Sequence, residues 1–218
     1  MKRGLVLLLV LLTGCGGHED HAPPPRPIGS RPSAPSLPTN RETRACLADL
    51  SRADIMFNTL PDRDYGGGCQ LAGTVQLLDI GVPVTNLKAM RCGLADSFAG
   101  WVSHAVAPAA YQILGSELVR VESMGSYACR NVVGVSGVEK RSGHATANAV
   151  DISGFVLQDG RRITIEQGWR SPDPRIQAFF RTIHRSACKR FGTVLSPDYN
   201  AAHYNHFHLE DDHKDFCR

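Results

Sequence analysis

The chain has 218 residues, 42% of them hydrophobic, and carries a formal net charge of +3. Without Lys2 and Arg3, which precede an apolar amino-terminal segment, 22 basic residues face 21 acidic ones. This near balance lacks the basic excess of a nucleic-acid-binding protein. The hydrophobic content is that of a globular protein that buries a core, so we expect no nucleic-acid partner.

The amino-terminal segment is typical of an export signal. Lys2 and Arg3 precede the aliphatic run 5–12, which is far shorter than the roughly 20 apolar residues that span a bilayer but suits a signal-peptide core. The following Leu-Thr-Gly-Cys resembles a bacterial lipobox, so we expect a signal peptide over 1–14 and lipidation of Cys15. An ordinary cleaved signal with a chance cysteine is the alternative. Gly16 follows the cysteine, and the resemblance to lipoproteins that have no Asp there implies the periplasmic face of the outer membrane, with the inner membrane as the alternative.

A linker and one folded domain follow. Residues 15–41 are rich in Pro, Ser and Gly, a composition that cannot bury a core and acts as an extended spacer. Its histidines, His18 and His21, are interpreted as incidental and not as metal ligands. Residues 42–218 form one domain of ordinary length, which we expect to be a monomer.

Cysteine content agrees with an oxidising compartment. Apart from Cys15 there are six cysteines, and no two of them are close enough in sequence for a CxxC motif. An even number in an exported protein predicts up to three disulfides, with buried free thiols as the alternative. Fifteen pairings are possible, and the sequence does not choose among Cys46, Cys69, Cys92, Cys129, Cys188 and Cys217.

The predicted elements mix helices and strands without βαβ alternation, which favours the α+β class, with a small mixed or antiparallel sheet flanked by helices. Asp159-Gly160 predicts a hairpin turn. His104 and His184 lie on predicted helices and are not assigned as ligands. In chain order, the periodicity predicts a helix over 43–57, strands over 74–78 and 82–87, a helix over 92–106, a strand over 118–129, the hairpin strands 149–157 and 161–166, a helix over 174–191 and a strand over 206–210.

Two short segments carry the candidate chemistry. In SGHATANAVD, His144 precedes a loop of small residues and Asp151 lies on the next predicted strand, where alternation places it on the face opposite Val150 and Ile152. A solvent-facing aspartate at a strand end is the alternative interpretation. In HYNHFH, His206 and His208 would share one strand face, roughly 7 Å apart.

Together these residues predict a metal site. Zinc binds histidine nitrogen and carboxylate oxygen, and a catalytic zinc keeps three protein ligands and one open position. Three ligands, two histidines and one aspartate, together with one spare histidine therefore favour a hydrolytic Zn²⁺ site, while histidines packed in a polar cluster remain the alternative.

These motifs resemble a known family. SYACRN, SGHATANAVDISGF and TVLSPDYNAAHYNHFHLE are similar to the bacterial extensin-like C-terminal domain family over about 42–217. The pattern Ser-x-His-x6-Asp followed by His-x-His also resembles the zinc fold of D-Ala-D-Ala carboxypeptidases, the murein endopeptidase and the hedgehog signalling domain. The resemblance implies that fold, a zinc ion held by His144, Asp151 and His208, and peptidoglycan peptides as substrate.

The resemblance also has two departures. Carboxypeptidase relatives carry a glutamate base three residues before the last ligand, where this chain has Asn205, and Gly143 replaces an expected glutamate. We therefore assign the base to His206, with His203 as its orienting or oxyanion-stabilising partner. Arg130 is expected to pair with a substrate carboxylate, the alternative being a surface arginine. Ser142 would hold the His144 loop or touch substrate.

Two functions follow from this pattern. The first is a zinc metallopeptidase, of endopeptidase or carboxypeptidase type, that cleaves stem peptides or cross-links of the cell wall. The second is a wall-binding lipoprotein in which zinc is structural and no bond is cut. The absent glutamate favours the second function, whereas the additional histidines His203 and His206 favour the first.

Overall fold

The structure is a computed structural model that describes residues 41–134 and 140–218. The predicted signal peptide, most of the linker, Cys15, His18 and His21 lie outside the described residues. Within the described part of the chain, no helix is both long enough and apolar enough to cross a membrane.

The described part of the chain contains five α-helices. The second helix continues through two π-helical stretches, Val102–Val106 and Ala110–Leu114, and ends where Gly115 adopts a left-handed conformation with φ of 75°. Asp173 caps the last long helix by accepting a hydrogen bond from the backbone N–H of Arg175. The α-helices are α1 (Arg41–Arg52), α2 (Cys92–Trp101), α3 (Ala107–Ala109), α4 (Ile165–Gly168) and α5 (Pro174–Cys188).

The strands form one large sheet and two small ones. The large sheet has the order β11-β9-β10-β7-β6, with β8 paired to β7 as a hairpin. All its pairs are antiparallel except β11 with β9. The strands are β1 (Met56–Thr59), β2 (Arg63–Asp64), β3 (Gln70–Leu71), β4 (Thr74–Asp79), β5 (Met90–Arg91), β6 (Leu118–Gly125), β7 (Ala149–Leu157), β8 (Arg162–Thr164), β9 (Thr193–Leu195), β10 (Phe207–Glu210) and β11 (Phe216–Cys217).

The core lies between the large sheet and the helices. Trp101 is fully buried, its ring packs against Phe155, and its indole N–H donates to the carbonyl of Ile183 on α5. Phe155 also contacts Phe179 edge-to-face. Each such side chain contributes roughly 1.5–3 kcal/mol on burial, so this aromatic cluster fixes α2 and α5 against β7.

Three disulfides link the described elements. They pair Cys46 with Cys92, Cys69 with Cys129, and Cys188 with Cys217. The first joins α1 to α2, the second joins the loop before β3 to the segment after β6, and the third joins α5 to β11. The three predicted disulfides are confirmed, and the structure assigns the pairing that the sequence left open.

The predicted α+β class is confirmed, with antiparallel sheets and a few helices. Most of the predicted helices and strands are confirmed as well. The helix predicted over 43–57 ends early, because Asp54 takes a positive φ of 56° and Met56 begins β1. The strand predicted over 82–87 is wrong, since that segment makes only an isolated bridge from Val84 to Val121. Several bounds shift as well: β6 stops at Gly125, α5 at Cys188, and β8 at Thr164 before α4 begins.

Candidate metal centre

The centre of the site is a cross-strand pair. β10 and β7 are antiparallel, and their register sets His208 directly opposite Asp151. Side chains at such opposed positions lie on the same face of the sheet. Their alternating neighbours Val150, Ile152 and Phe207 are fully buried in the core, so the strand pattern turns the carboxylate and the imidazole together toward the other face.

His144 joins this pair from a 3₁₀-helix. The helix Gly143–Thr146 is capped by Ser142, whose side chain accepts from the backbone N–H of His144. His144 Nε2 lies 3.0 Å from Asp151 Oδ2 and 3.2 Å from His208 Nδ1, and His208 Nδ1 lies 2.7 Å from Asp151 Oδ1. All three residues are buried, and the solvent-facing interpretation of Asp151 is therefore wrong.

The other nitrogen of each imidazole is held by an acceptor. His144 Nδ1 lies 3.1 Å from the carbonyl oxygen of Ser126, and His208 Nε2 lies 2.8 Å from Glu210 Oε1. If each of these outer nitrogens donates its proton, the inner nitrogens present lone pairs toward Asp151. Partners of this kind orient and polarise histidine ligands of metal ions.

The donor set fits a divalent ion. One ligand atom from each of His144, Asp151 and His208 lies within 4.8 Å of the others. Two nitrogens and one carboxylate oxygen suit Zn²⁺, and three protein donors leave a position for water. These residues would hold the ion.

The pKa shifts of Asp151 and His208 show how strongly the members of the triad interact. Burial raises the pKa of Asp151, but hydrogen bonds and charge from His144 and His208 outweigh it and hold the pKa well below its ordinary value. Burial lowers the pKa of His208, but its hydrogen bonds to Asp151 and Glu210 outweigh burial and raise the pKa to about 9. The lowered pKa of Asp151 and the raised pKa of His208 share one cause, which is that their contacts favour a positive charge next to the carboxylate.

His206 lies next to the triad, immediately before β10, so the strand predicted over 206–210 begins one residue later than expected. It precedes the strand, and its Nε2 lies 3.7 Å from Asp151 Oδ1. Its Nδ1 lies 2.9 Å from the side-chain oxygen of Asn205, an acceptor that orients the ring with Nε2 toward the site. Burial lowers the pKa of His206, so the imidazole is neutral near pH 7 and has a lone pair available.

His203 lies behind His206. Their ring centres are 5.1 Å apart, and His203 Nδ1 lies 2.7 Å from the side-chain oxygen of Asn200. That oxygen also caps the 3₁₀-helix Ala201–His203. Burial, with the neighbouring charges of His206 and His208, lowers the pKa of His203 to about 4.

Arg130 and Ser142 each lie close to one residue of the triad. Arg130 Nη2 is 3.6 Å from Asp151 Oδ2, so it borders the site and is not a distant surface residue. The Ser142 hydroxyl faces the His144 N–H at 3.4 Å and is buried. The geometry favours the loop-holding interpretation of Ser142.

Two cavities open onto the triad. The lysine cavity, of about 480 Å³, is lined by His144 and Asp151 together with Lys88, Tyr127 and Arg130. The histidine cavity, of about 200 Å³, is lined by Asp151 and His208 together with His203, His206, Tyr199 and Leu195. Arg130, Met124 and Asp151 line both, so the two cavities meet at Asp151.

Sequence reasoning missed the residues that orient the imidazoles. Asn200, Asn205 and the Ser126 carbonyl act through hydrogen bonds whose partners are fixed by loop geometry, and only the adjacency of Asn205 to His206 was visible in the sequence. Glu210 was visible as a same-face neighbour of His208, but its bond to Nε2 was not.

A Cβ at Gly143 would lie 2.6 Å from Glu210 Oε1, so the carboxylate of Glu210 takes the space that a side chain at 143 would need.

A second cluster of possible ligands lies away from this site. His184 lies near the sulfurs of Cys188 and Cys217. Because these cysteines form a disulfide, their sulfurs are not thiolate ligands. His184 instead packs against Trp169 and Phe207, in keeping with its assignment as a helix residue outside the site.

Comparison with known proteins gives one match. No curated protein and no solved structure matches the chain. The family model described as Extensin-like protein C-terminus matches residues 44–218, which include every residue of the triad and both cavities. The chain therefore belongs to the extensin-like protein C-terminus family.

Proposed function

We propose that this protein is a zinc-dependent hydrolase that cleaves peptide bonds in the peptide part of the bacterial cell wall. One observation carries the proposal: the outer nitrogens of His144 and His208 are both held by acceptors, while their inner nitrogens and the Asp151 carboxylate converge on one point. The resemblance of the same motifs to carboxypeptidases, the murein endopeptidase and the hedgehog-type fold supports this fold and the wall substrate.

The three converging residues would hold the ion. Zinc bound there would polarise a peptide carbonyl and lower the pKa of water. His144 and His208 would supply nitrogen ligands and Asp151 an oxygen ligand. Glu210 and the Ser126 carbonyl keep the two rings in place. Three buried donors with a neighbouring cavity on each side leave room for water and substrate.

His206 supplies the proton transfer. In hydrolysis the oxygen of water bonds to the carbonyl carbon, and the bond from that carbon to nitrogen breaks. His206 Nε2 accepts a proton from the water and passes it to the departing amine, a role suited to an imidazole near neutral pH. Asn205 holds Nδ1 at 2.9 Å, so only Nε2 is free for this transfer.

His203 and Arg130 support the reaction in different ways. His203 packs its ring against that of His206, and the lowered pKa of His203 keeps it neutral, so it does not repel the imidazolium that forms. Arg130 presents a guanidinium beside Asp151, where it can pair with a carboxylate of the substrate.

A second candidate is a wall-binding lipoprotein with a structural zinc. Asn205 favours it, because an amide cannot act as the base that a glutamate provides at that position in related carboxypeptidases. In either case, we propose that the lipid on Cys15 anchors the chain in the cell envelope, with the domain facing the periplasm.

The discriminating experiment is hydrolysis of purified peptidoglycan. The intact protein should release soluble peptides, a chelator should stop the release, and added Zn²⁺ should restore it. The variant His206→Ala should bind the wall and retain zinc but release peptide about 10²–10⁴-fold more slowly than the intact protein. Wall binding with zinc but without any release by the intact protein would establish the second candidate.

A further inference from the structure

The two cavities beside the triad differ in charge. Lys88 and Arg130 line the lysine cavity, and the acidic residue among its lining residues is Asp151. Asp151 is already engaged by His144 and His208. Arg130 also pairs with this carboxylate, since its Nη2 lies 3.6 Å from Asp151 Oδ2. Lys88 is therefore the cation of the lysine cavity for which the lining supplies no ion pair.

Lys88 is set in the wall of this cavity by its backbone. Its N–H donates to the Ser126 hydroxyl at 2.9 Å, and the carbonyl of the same Ser126 faces His144 Nδ1. Its ammonium makes no ion pair with a described residue. The backbone of Lys88 is thus fixed beside Ser126, while its side chain is exposed at the cavity. An exposed, unpaired ammonium at this place is suited to an anion that enters from outside.

The position of His206 orients the substrate. His206 lines the histidine cavity and is not among the residues that line the lysine cavity. Because its Nε2 delivers a proton to the departing amine, the amine side of the cleaved bond lies in the histidine cavity. The acyl side then extends past Asp151 into the lysine cavity.

We propose that the lysine cavity binds an acyl-side residue that carries a free carboxylate, and that Lys88 is the residue that selects it. This inference rests on the proposed function, since it assigns the two halves of that substrate. Arg130 lines both cavities and assists from the shared wall. The histidine cavity is smaller, at about 200 Å³, and its walls include the apolar side chains of Val132, Val133 and Leu195, which suit a compact departing fragment.

The test uses two synthetic tripeptides that differ only on the acyl side of the target bond. One carries glutamate and the other glutamine there, and both carry D-alanine on the amine side. Affinity is measured by calorimetry on zinc-loaded His206→Ala protein, which should cleave them about 10²–10⁴-fold more slowly. The kcat and KM values are measured on the intact protein. We expect the glutamate peptide to bind about tenfold more tightly, as a charge-assisted contact in a cavity would give.

The variant Lys88→Met should reduce this preference to near unity, through affinity and KM and with little change in kcat. Its matched control is Lys189→Met, which removes an exposed lysine at the end of α5 and should leave the preference intact. Equal affinity of the two peptides, or a preference that survives Lys88→Met, overturns the inference. If neither peptide is cleaved but the lysine-dependent preference is present in the binding measurement, the proposed reaction has failed and the carboxylate site stands.

Discussion

The side-chain oxygen of Asn205 lies 2.9 Å from Nδ1 of His206. A residue that cannot take a proton thus holds the imidazole that can. The amide fixes the ring with Nε2 facing Asp151, 3.7 Å from its carboxylate. Asn205 therefore positions the imidazole that we propose as the base.

The first prediction concerns His206. His206→Ala should retain zinc and lose about 10²–10⁴-fold in kcat, the usual contribution of general acid–base assistance. Asn205→Ala should cause a smaller loss, because the ring remains but can rotate. Peptide release and metal content are measured together, with His104→Ala as the control, since His104 is an exposed helix residue. Full activity of His206→Ala would remove it as the base.

The second prediction concerns metal content. The purified protein should carry one tightly bound divalent ion per chain, with zinc the expected metal, measured by elemental analysis. His144→Ala and His208→Ala should each lose most of it, because two donors do not hold zinc as three do. His104→Ala should retain it. Retention of zinc by His208→Ala would exclude His208 as a ligand.

The third prediction tests whether Glu210 holds His208 in place or acts as the base itself. Glu210 Oε1 lies 2.8 Å from His208 Nε2, so Glu210→Gln should weaken zinc affinity about 10–100-fold, the typical cost of losing such an outer partner. Activity should return when zinc is added in excess. Glu166→Gln, at an exposed glutamate of α4, is the matched control. If saturating zinc leaves Glu210→Gln inactive, Glu210 takes part in the proton transfer.

The fourth prediction concerns His184 and pH. Burial lowers its pKa below the ordinary value of 6.5, so the unfolded chain binds this proton more readily than the folded one. The contribution of neutral His184 to the free energy of unfolding is fully present above pH 6.5. It is lost as the pH falls from there through the lowered pKa of the folded protein. His184→Phe removes this loss, so its free energy of unfolding should fall less steeply on acidification than that of the unchanged protein. Chemical denaturation at a series of pH values measures both; parallel profiles would contradict the assignment.

The fifth prediction concerns the amino terminus. Cys15→Ser should abolish incorporation of labelled fatty acid and release the protein from membranes, whereas Cys46→Ser, which breaks a disulfide instead, should leave the lipid in place. Recovery of the unchanged protein in soluble form, with a mature terminus other than Cys15, would contradict lipidation.

The amino-acid sequence by itself determined the chemistry that this protein can bring together. Alternation along 149–157 separated Asp151 from Val150 and Ile152, the Asp-Gly pair marked the hairpin, and the cysteine count indicated the three disulfides. These are local patterns, and local patterns depend on the covalent order of residues.

The tertiary structure decided what local patterns cannot express. The register of β10 against β7 set His208 opposite Asp151, and 57 positions of sequence separate these residues. The packed fold also assigned the disulfide partners and brought the Glu210 carboxylate within hydrogen-bond distance of His208 Nε2. It placed Lys88 and His206 in different cavities. Asp54 ended α1 and the segment after β4 formed no strand, because backbone conformation and strand partners there depend on the packed fold and not on propensity. Register, pairing and cavity shape arise when distant segments pack, and no short stretch of sequence contains them.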